Sequence, residues 1–132
     1  MANDTLQIVS SDGNRAGQKV LKLNGSLTIH SVFTFQAATR EETAEQVILD
    51  FTKVPFMDSA GLGSLVGAYV AAQRTHRKLA VVGANTQVKA LIDMTHVGTL
   101  IMCYENLAAA QSALGLTRES ELENWHKTPP QR

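Results

Sequence analysis

The sequence has few of the features that mark several large classes of protein. Its only cysteine, Cys103, cannot form a disulfide within the chain, which favours a reducing compartment. Twelve basic and twelve acidic residues cancel, so no net charge attracts nucleic acid or an anionic membrane. No apolar run approaches the roughly 20 residues of a membrane span. Residues 1–5 lack the basic start and apolar stretch of a signal peptide. These absences predict a cytoplasmic protein.

The rest of the composition is that of one ordinary globular domain. The chain has 132 residues, 44% of them hydrophobic, enough to bury a core without a disulfide or a metal. Apolar patterning continues to about residue 115, so we expect the domain to span residues 1–116. Residues 117–132 are polar and include Pro129 and Pro130, which predicts a mobile tail or a short extra helix.

Apolar periodicity predicts an α/β fold. Alternating residues predict a hairpin of two strands, and unbroken apolar runs predict further strands that are covered on both faces. The predicted strands are 5–10, 19–27, 47–51, 78–82 and 100–104; the predicted helices are 31–43, 59–76, 86 to a stop at Gly98, and a last one from Asn106 to Gly115. The order β-β-α-β-α-β-α-β-α implies right-handed crossovers. We therefore expect a mixed, mostly parallel β-sheet with about four helices covering mainly one face.

The segment from Met57 to Gly63 lies between a buried strand and the start of the strongest predicted helix. A helix start offers unpaired N–H groups and a positive dipole, which suit a phosphate, and Ser59 lies at or next to the N-cap. Gly61, Gly63 and Gly67 each cost about 1 kcal/mol relative to alanine in a helix. They indicate that a partner, a phosphate or a neighbouring strand comes close to the backbone. Simple N-capping by Ser59 and helix–sheet packing by the glycines explain the same residues.

The hexapeptide from Asp58 to Gly63, Asp-Ser-Ala-Gly-Leu-Gly, resembles the signature of STAS domains, in which it follows a strand and opens a helix. Gly25 resembles the glycine of the family's Gly-x-Leu segment after the second strand. Residues 88–95 are similar to the family's third helix. The likeness covers about residues 5–115 and preserves the order of the elements, so the STAS fold is expected.

The resemblance implies the role of an anti-sigma factor antagonist. In such antagonists, an anti-sigma factor with a histidine-kinase-like ATPase fold phosphorylates the serine that follows the aspartate, and a serine phosphatase resets it. That serine is Ser59 here, and the unphosphorylated form binds the anti-sigma factor. The implied partner contacts are Asp58, Ser59, Ala60, Gly61, Gly63 and Thr28. Many antagonists carry aspartate where this chain has Thr28, so an acidic contact with the kinase is missing.

Other functional classes fit less well. A serine-hydrolase elbow needs glycine where Met57 stands, and the four histidines are scattered, without the spacing of a catalytic base or a zinc site. A dinucleotide-binding loop needs glycine or alanine where Val66 stands. We therefore predict no enzyme, metal or cofactor. The main alternative is a STAS module that is never phosphorylated, such as a signalling scaffold or a soluble subunit of a lipid-transport ABC system.

Overall fold

One five-stranded sheet organises the part of the chain that the computed structural model describes, residues 5–95 and 101–115. The strands are β1 (Gln7–Asp12), β2 (Gln18–Asn24), β3 (Gln46–Lys53), β4 (Lys78–Val82) and β5 (Met102–Tyr104). They lie in the sheet in chain order. β1 and β2 pair antiparallel, and each later pair is parallel. The predicted hairpin followed by parallel strands is confirmed.

The helices cover the two faces of this sheet unequally. They are α1 (Val32–Glu41), α2 (Ser59–Arg74), α3 (Thr86–Asp93) and α4, residues 107–115. The first three pack with one apolar cluster, and α4 packs with another that contains Val20, Ile48, Ala80 and Val82. Successive strand residues point to opposite faces, so α4 lies on the face that the other three leave open. No helix among the described residues has the length and apolarity needed to cross a bilayer.

Buried glutamines fasten α4 to the sheet. The Gln18 side chain donates from Nε2 to Oε1 of Gln46 at 2.9 Å and accepts at its own Oε1 from Nε2 of Gln111 at 3.0 Å. Gln18 and Gln46 are among the few buried polar residues of the described chain. Since a buried amide without partners is costly, these bonds hold the end of α4 over the start of β2 and β3.

Several predicted boundaries were wrong by a few residues. β1 begins and ends two residues later than predicted, and α1 ends at Glu41. β2 ends at Asn24 because Gly25 turns the chain with φ of 127°. α2 ends at Arg74, since His76 has a left-handed φ of 59° and cannot continue a helix. α3 ends at Asp93, with Met94 as its C-cap, and so stops before the predicted closure at Gly98. Gly98 itself, the predicted start of the last strand at Leu100 and the tail 117–132 lie outside the described residues.

Candidate functional site

Two loops meet where β2 and β3 end, and backbone hydrogen bonds join them. The Leu27 amide donates to the carbonyl of Phe56 at 3.0 Å, and the Asp58 amide donates to the carbonyl of Leu27 at 3.2 Å. These bonds form an isolated parallel bridge between Leu27 and Met57. This pairing brings the predicted contact residues Thr28, Asp58 and Ser59 to the same end of the sheet, where β2 and β3 finish.

Asp58 is the N-cap of α2. Its Oδ1 accepts from the Gly61 amide at 2.8 Å, and its Oδ2 accepts from the Ile29 amide at 3.1 Å. One carboxylate thus caps a helix and also holds the turn that leads into α1. Partial burial raises the pKa of Asp58, but the hydrogen bonds from the Gly61, Ile29 and Ala60 amides outweigh it and lower the pKa below its ordinary value.

Ser59 is the first residue of α2 and is exposed. The capping oxygen belongs to Asp58, so the interpretation of Ser59 as a simple N-cap is wrong. Ser59 is therefore an exposed serine that directly follows the capping aspartate in the chain. Ala60, which follows, is half-buried and has no hydroxyl. Ser59 is accordingly the hydroxyl of this helix start that a modifying enzyme can reach.

The glycines of α2 have two different roles. A methyl group on Gly61 would overlap the carbonyl oxygen of Leu27, so the bridge between the two loops requires glycine here. A methyl group on Gly63 or Gly67 would meet no atom within 4 Å. The expected close approach is therefore made by the chain itself at Gly61, while Gly63 and Gly67 face open space.

Thr28 lies in the turn before α1. Its Oγ1 accepts from the His30 amide at 3.2 Å, and its own amide donates to Oγ of Ser31 at 3.0 Å. The Ser31 hydroxyl also donates to the carbonyl of Ser26, so it serves this turn and does not cap α1. Thr28 thus performs a local structural role that a short acidic side chain also performs, but without the charge.

Two residues at the start of α3, Asn85 and Gln87, form hydrogen bonds to the loop that precedes α2, and neither was predicted from the sequence. Gln87 pairs with the backbone of Met57 through two bonds: its Nε2 donates to the Met57 carbonyl at 2.9 Å, and its Oε1 accepts from the Met57 amide at 3.1 Å. Asn85 caps α3 and donates to the carbonyls of Val54 and Pro55. A glutamine or asparagine at a helix start carries no sequence signal of such long-range pairing.

Exposed apolar side chains surround the site. Phe33 is 79% exposed, Ile29 58% and Phe56 47%. Ile29 bonds directly to Asp58, Phe56 belongs to the bridged loop, and Phe33 lies in the first turn of α1, four residues after Ile29. Large apolar residues grouped at a surface are typical of protein–protein contact sites.

Comparisons with known proteins agree with this architecture. The family model described as STAS domain matches residues 6–110. The "Anti-sigma F factor antagonist" of Paenibacillus polymyxa is 28% identical over 102 residues, 74% of this chain and 87% of that protein. An anti-sigma factor antagonist from Mycobacterium paratuberculosis has a TM-score of 0.74 at 19% identity, covering 83% of this chain and 94% of the other. The Bacillus cell fate determinant SpoIIAA in its phosphorylated form has a TM-score of 0.62 at 18% identity, over 81% and 99% of the two chains.

The family model covers most of the chain, and the mixed sheet with four helices matches the solved structures. The fold inferred from the hexapeptide and the order of elements is therefore confirmed. The chain belongs to the STAS domain family and, like the antagonists it resembles, is a binding protein and not an enzyme.

Proposed function

We propose that this domain is a cytoplasmic anti-sigma factor antagonist that phosphorylation of Ser59 switches off. The unphosphorylated domain binds an anti-sigma factor and thereby frees a sigma factor. The anti-sigma factor is a serine kinase with a histidine-kinase-like ATPase fold, and a serine phosphatase restores the binding form. The similar proteins named as anti-sigma factor antagonists support the general role.

The observation that carries the proposal is that Asp58, and not Ser59, caps α2. Asp58 caps α2, so the fold does not need the Ser59 hydroxyl. An exposed serine at the start of a helix, with a structural role already filled by its neighbour, is free for modification. The adjacent Ile29 and Phe56 offer apolar area to a partner.

Phosphorylation blocks binding through charge. A phosphate adds about 1.5 to 2 negative charges at neutral pH. The helix dipole favours this charge, but the Asp58 carboxylate already accepts amides of the same helix start. A partner that covers Ser59 would bury two neighbouring anions without a matched cation, which is costly. The fold tolerates the phosphate because Ser59 is exposed, so association is lost while the domain stays folded.

The test is calorimetric titration of the cognate anti-sigma factor with wild type, Ser59→Ala and Ser59→Glu, and mass spectrometry after incubation with ATP. We expect phosphate on Ser59, full binding by Ser59→Ala and weaker binding by Ser59→Glu. Ser11→Glu is the matched charge control, because Ser11 is exposed and pairs with Val20 at the opposite end of the sheet. Its affinity should equal that of wild type.

Thr28 favours a second candidate function. It supplies the turn's hydrogen bonds without the negative charge that many antagonists carry at this place. A STAS module that binds its partner constitutively would need no kinase contact there. Equal affinities of wild type, Ser59→Ala and Ser59→Glu, with no phosphate on Ser59, would contradict the switch and favour this constitutive module.

A further inference from the structure

A groove runs between α1 and α2, and its lining includes Val47 of β3 and Leu79 of β4. It encloses about 400 Å³. The α2 wall includes Gly63, Gly67 and Ala71, which recur every four residues, and the α1 wall includes Gln36 and Arg40. Helices that lie side by side normally fill such a space with side chains. Here the α2 wall carries only glycines and small side chains, which also include Ser64, Ala68 and Ala72.

The line of each groove wall, followed along its helix, leads toward the site around Ser59. Residues three or four apart share one face of a helix. Ser59 precedes Gly63 by four residues, and Phe33 precedes Gln36 by three, so each continues the line of one groove wall toward the Asp58 loop, although neither lines the groove itself. Phe33 is the apolar feature of this end, because it is 79% exposed.

The opposite end of the groove is positively charged. Arg40, Arg77 and Lys78 line it, and the lining includes no acidic side chain. Arg77 is held in place, since its Nη1 donates to the Glu42 carbonyl at 2.8 Å and its Nε donates to Thr75 Oγ1 at 2.9 Å. The carboxylate of Glu42 accepts from the Ala44 amide, in the loop before β3. Arg40 and Lys78 are exposed.

We propose that the groove binds a helix of the partner protein whose one end, near Phe33, is apolar and whose other end, near Arg40 and Lys78, is acidic. The two open glycines let the backbone of that helix come close, which explains why α2 carries glycines that nothing in the domain itself requires. The identity of the partner rests on the proposed function, whereas the chemistry of the groove does not. Occupancy of the groove would place the partner over Ser59 at one end.

The test uses a synthetic helical peptide of about 16 residues, the length of α2, with leucines at one end and glutamates at the other. A second peptide replaces every glutamate with lysine. Titration into ¹⁵N-labelled protein should shift the amides of Gly63, Gly67 and Ala71 saturably with the acidic peptide and leave them unchanged with the basic one.

Paired variants locate the binding. Arg40→Gln with Lys78→Gln should weaken the acidic peptide by about fivefold or more, since each removes one attractive pair. The matched control is Arg74→Gln with Lys89→Gln, which removes the same two charges from exposed positions outside the groove lining. Gly67→Ala should weaken the peptide while the melting temperature holds or rises, because the added methyl group points into the groove.

Equal binding of the two peptides, or equal effects of the two charge pairs, would overturn the groove proposal. So would unchanged peptide binding by Gly67→Ala. None of these outcomes depends on phosphorylation, so a failure here is distinguishable from a failure of the Ser59 titrations, which test the proposed function without the peptide.

Discussion

Gly61 and Gly63 are two residues apart in one helix, and alanine at the two positions should have opposite effects on stability. Either substitution gains up to about 1 kcal/mol of helix propensity. At Gly63 nothing opposes this gain, because the added methyl group meets no atom within 4 Å. For a domain of 132 residues, 1 kcal/mol corresponds to roughly 3.5 °C in melting temperature. Gly63→Ala should therefore melt about 3 °C higher than wild type.

At Gly61 the same methyl group would overlap the Leu27 carbonyl oxygen and lie 2.9 Å from Cγ of Met57. The Leu27 carbonyl cannot retreat freely, because it accepts the Asp58 amide. Overpacking costs about 1–3 kcal/mol, and a weakened buried hydrogen bond adds about 1 kcal/mol. After the helix gain is subtracted, Gly61→Ala should lose about 1–3 kcal/mol and melt roughly 4–10 °C lower.

Differential scanning calorimetry of wild type and the two variants checks this pair, with urea unfolding as an independent measure of the free energy. Binding assays are not needed, so the result concerns packing alone. Shifts of the same sign and similar size in both variants would refute the reasoning, since they would mean that the Leu27 contact does not constrain position 61.

Other predictions concern single side chains. Ser59→Ala should change the free energy of unfolding by less than about 0.5 kcal/mol, because Asp58 is the cap; a loss near 1 kcal/mol in thermal unfolding would argue against this. Asp58→Asn should be less stable than wild type at pH 7. The difference in the free energy of unfolding should shrink as the pH falls below about 3.9 and through the lowered pKa of Asp58, because the carboxylate then loses its charge. Urea unfolding at several pH values measures this difference. His76→Gly should raise the melting temperature by about 2–4 °C by relieving its left-handed φ, with an unchanged midpoint as the contrary result. Gln18→Leu should lose about 1–3 kcal/mol, because it leaves the buried Gln46 amide short of a partner, and a neutral effect in calorimetry would contradict that.

The sequence predicted helices and strands well where the apolar pattern is clear and where residues close in the chain, such as an N-cap, determine the boundary. β4 has the predicted bounds, and Asn106 caps the last helix as expected, accepting the Ala109 amide at 2.9 Å. The hexapeptide also predicted the start of α2 at Ser59. Other helix and strand boundaries depend on the backbone conformation of a single residue, such as the left-handed φ of His76, which the sequence does not reveal.

The roles within the site were harder to predict. Asp58 and Ser59 are both good N-capping residues and are adjacent, so local preference cannot choose between them. The choice is made by the Ile29 amide, which lies 29 positions earlier and needs the second carboxylate oxygen. Likewise, Gly61 and Gly63 look alike in the sequence and differ only in the position of the Leu27 carbonyl. Contacts between segments this far apart in the chain form only when the domain folds, so the local sequence does not predict them.

The strand order has a consequence for synthesis on the ribosome. Because each strand pairs with the one just before it in the chain, every newly emerged unit adds to the free edge of a sheet already present. The first face can thus be closed by α1, α2 and α3 as they appear. The second face, with Val20, Ile48, Ala80 and Val82, stays uncovered until residues 107–115 arrive. A chain stalled or truncated before α4 would expose this apolar strip, so the nascent protein is most prone to aggregation just before α4 is translated.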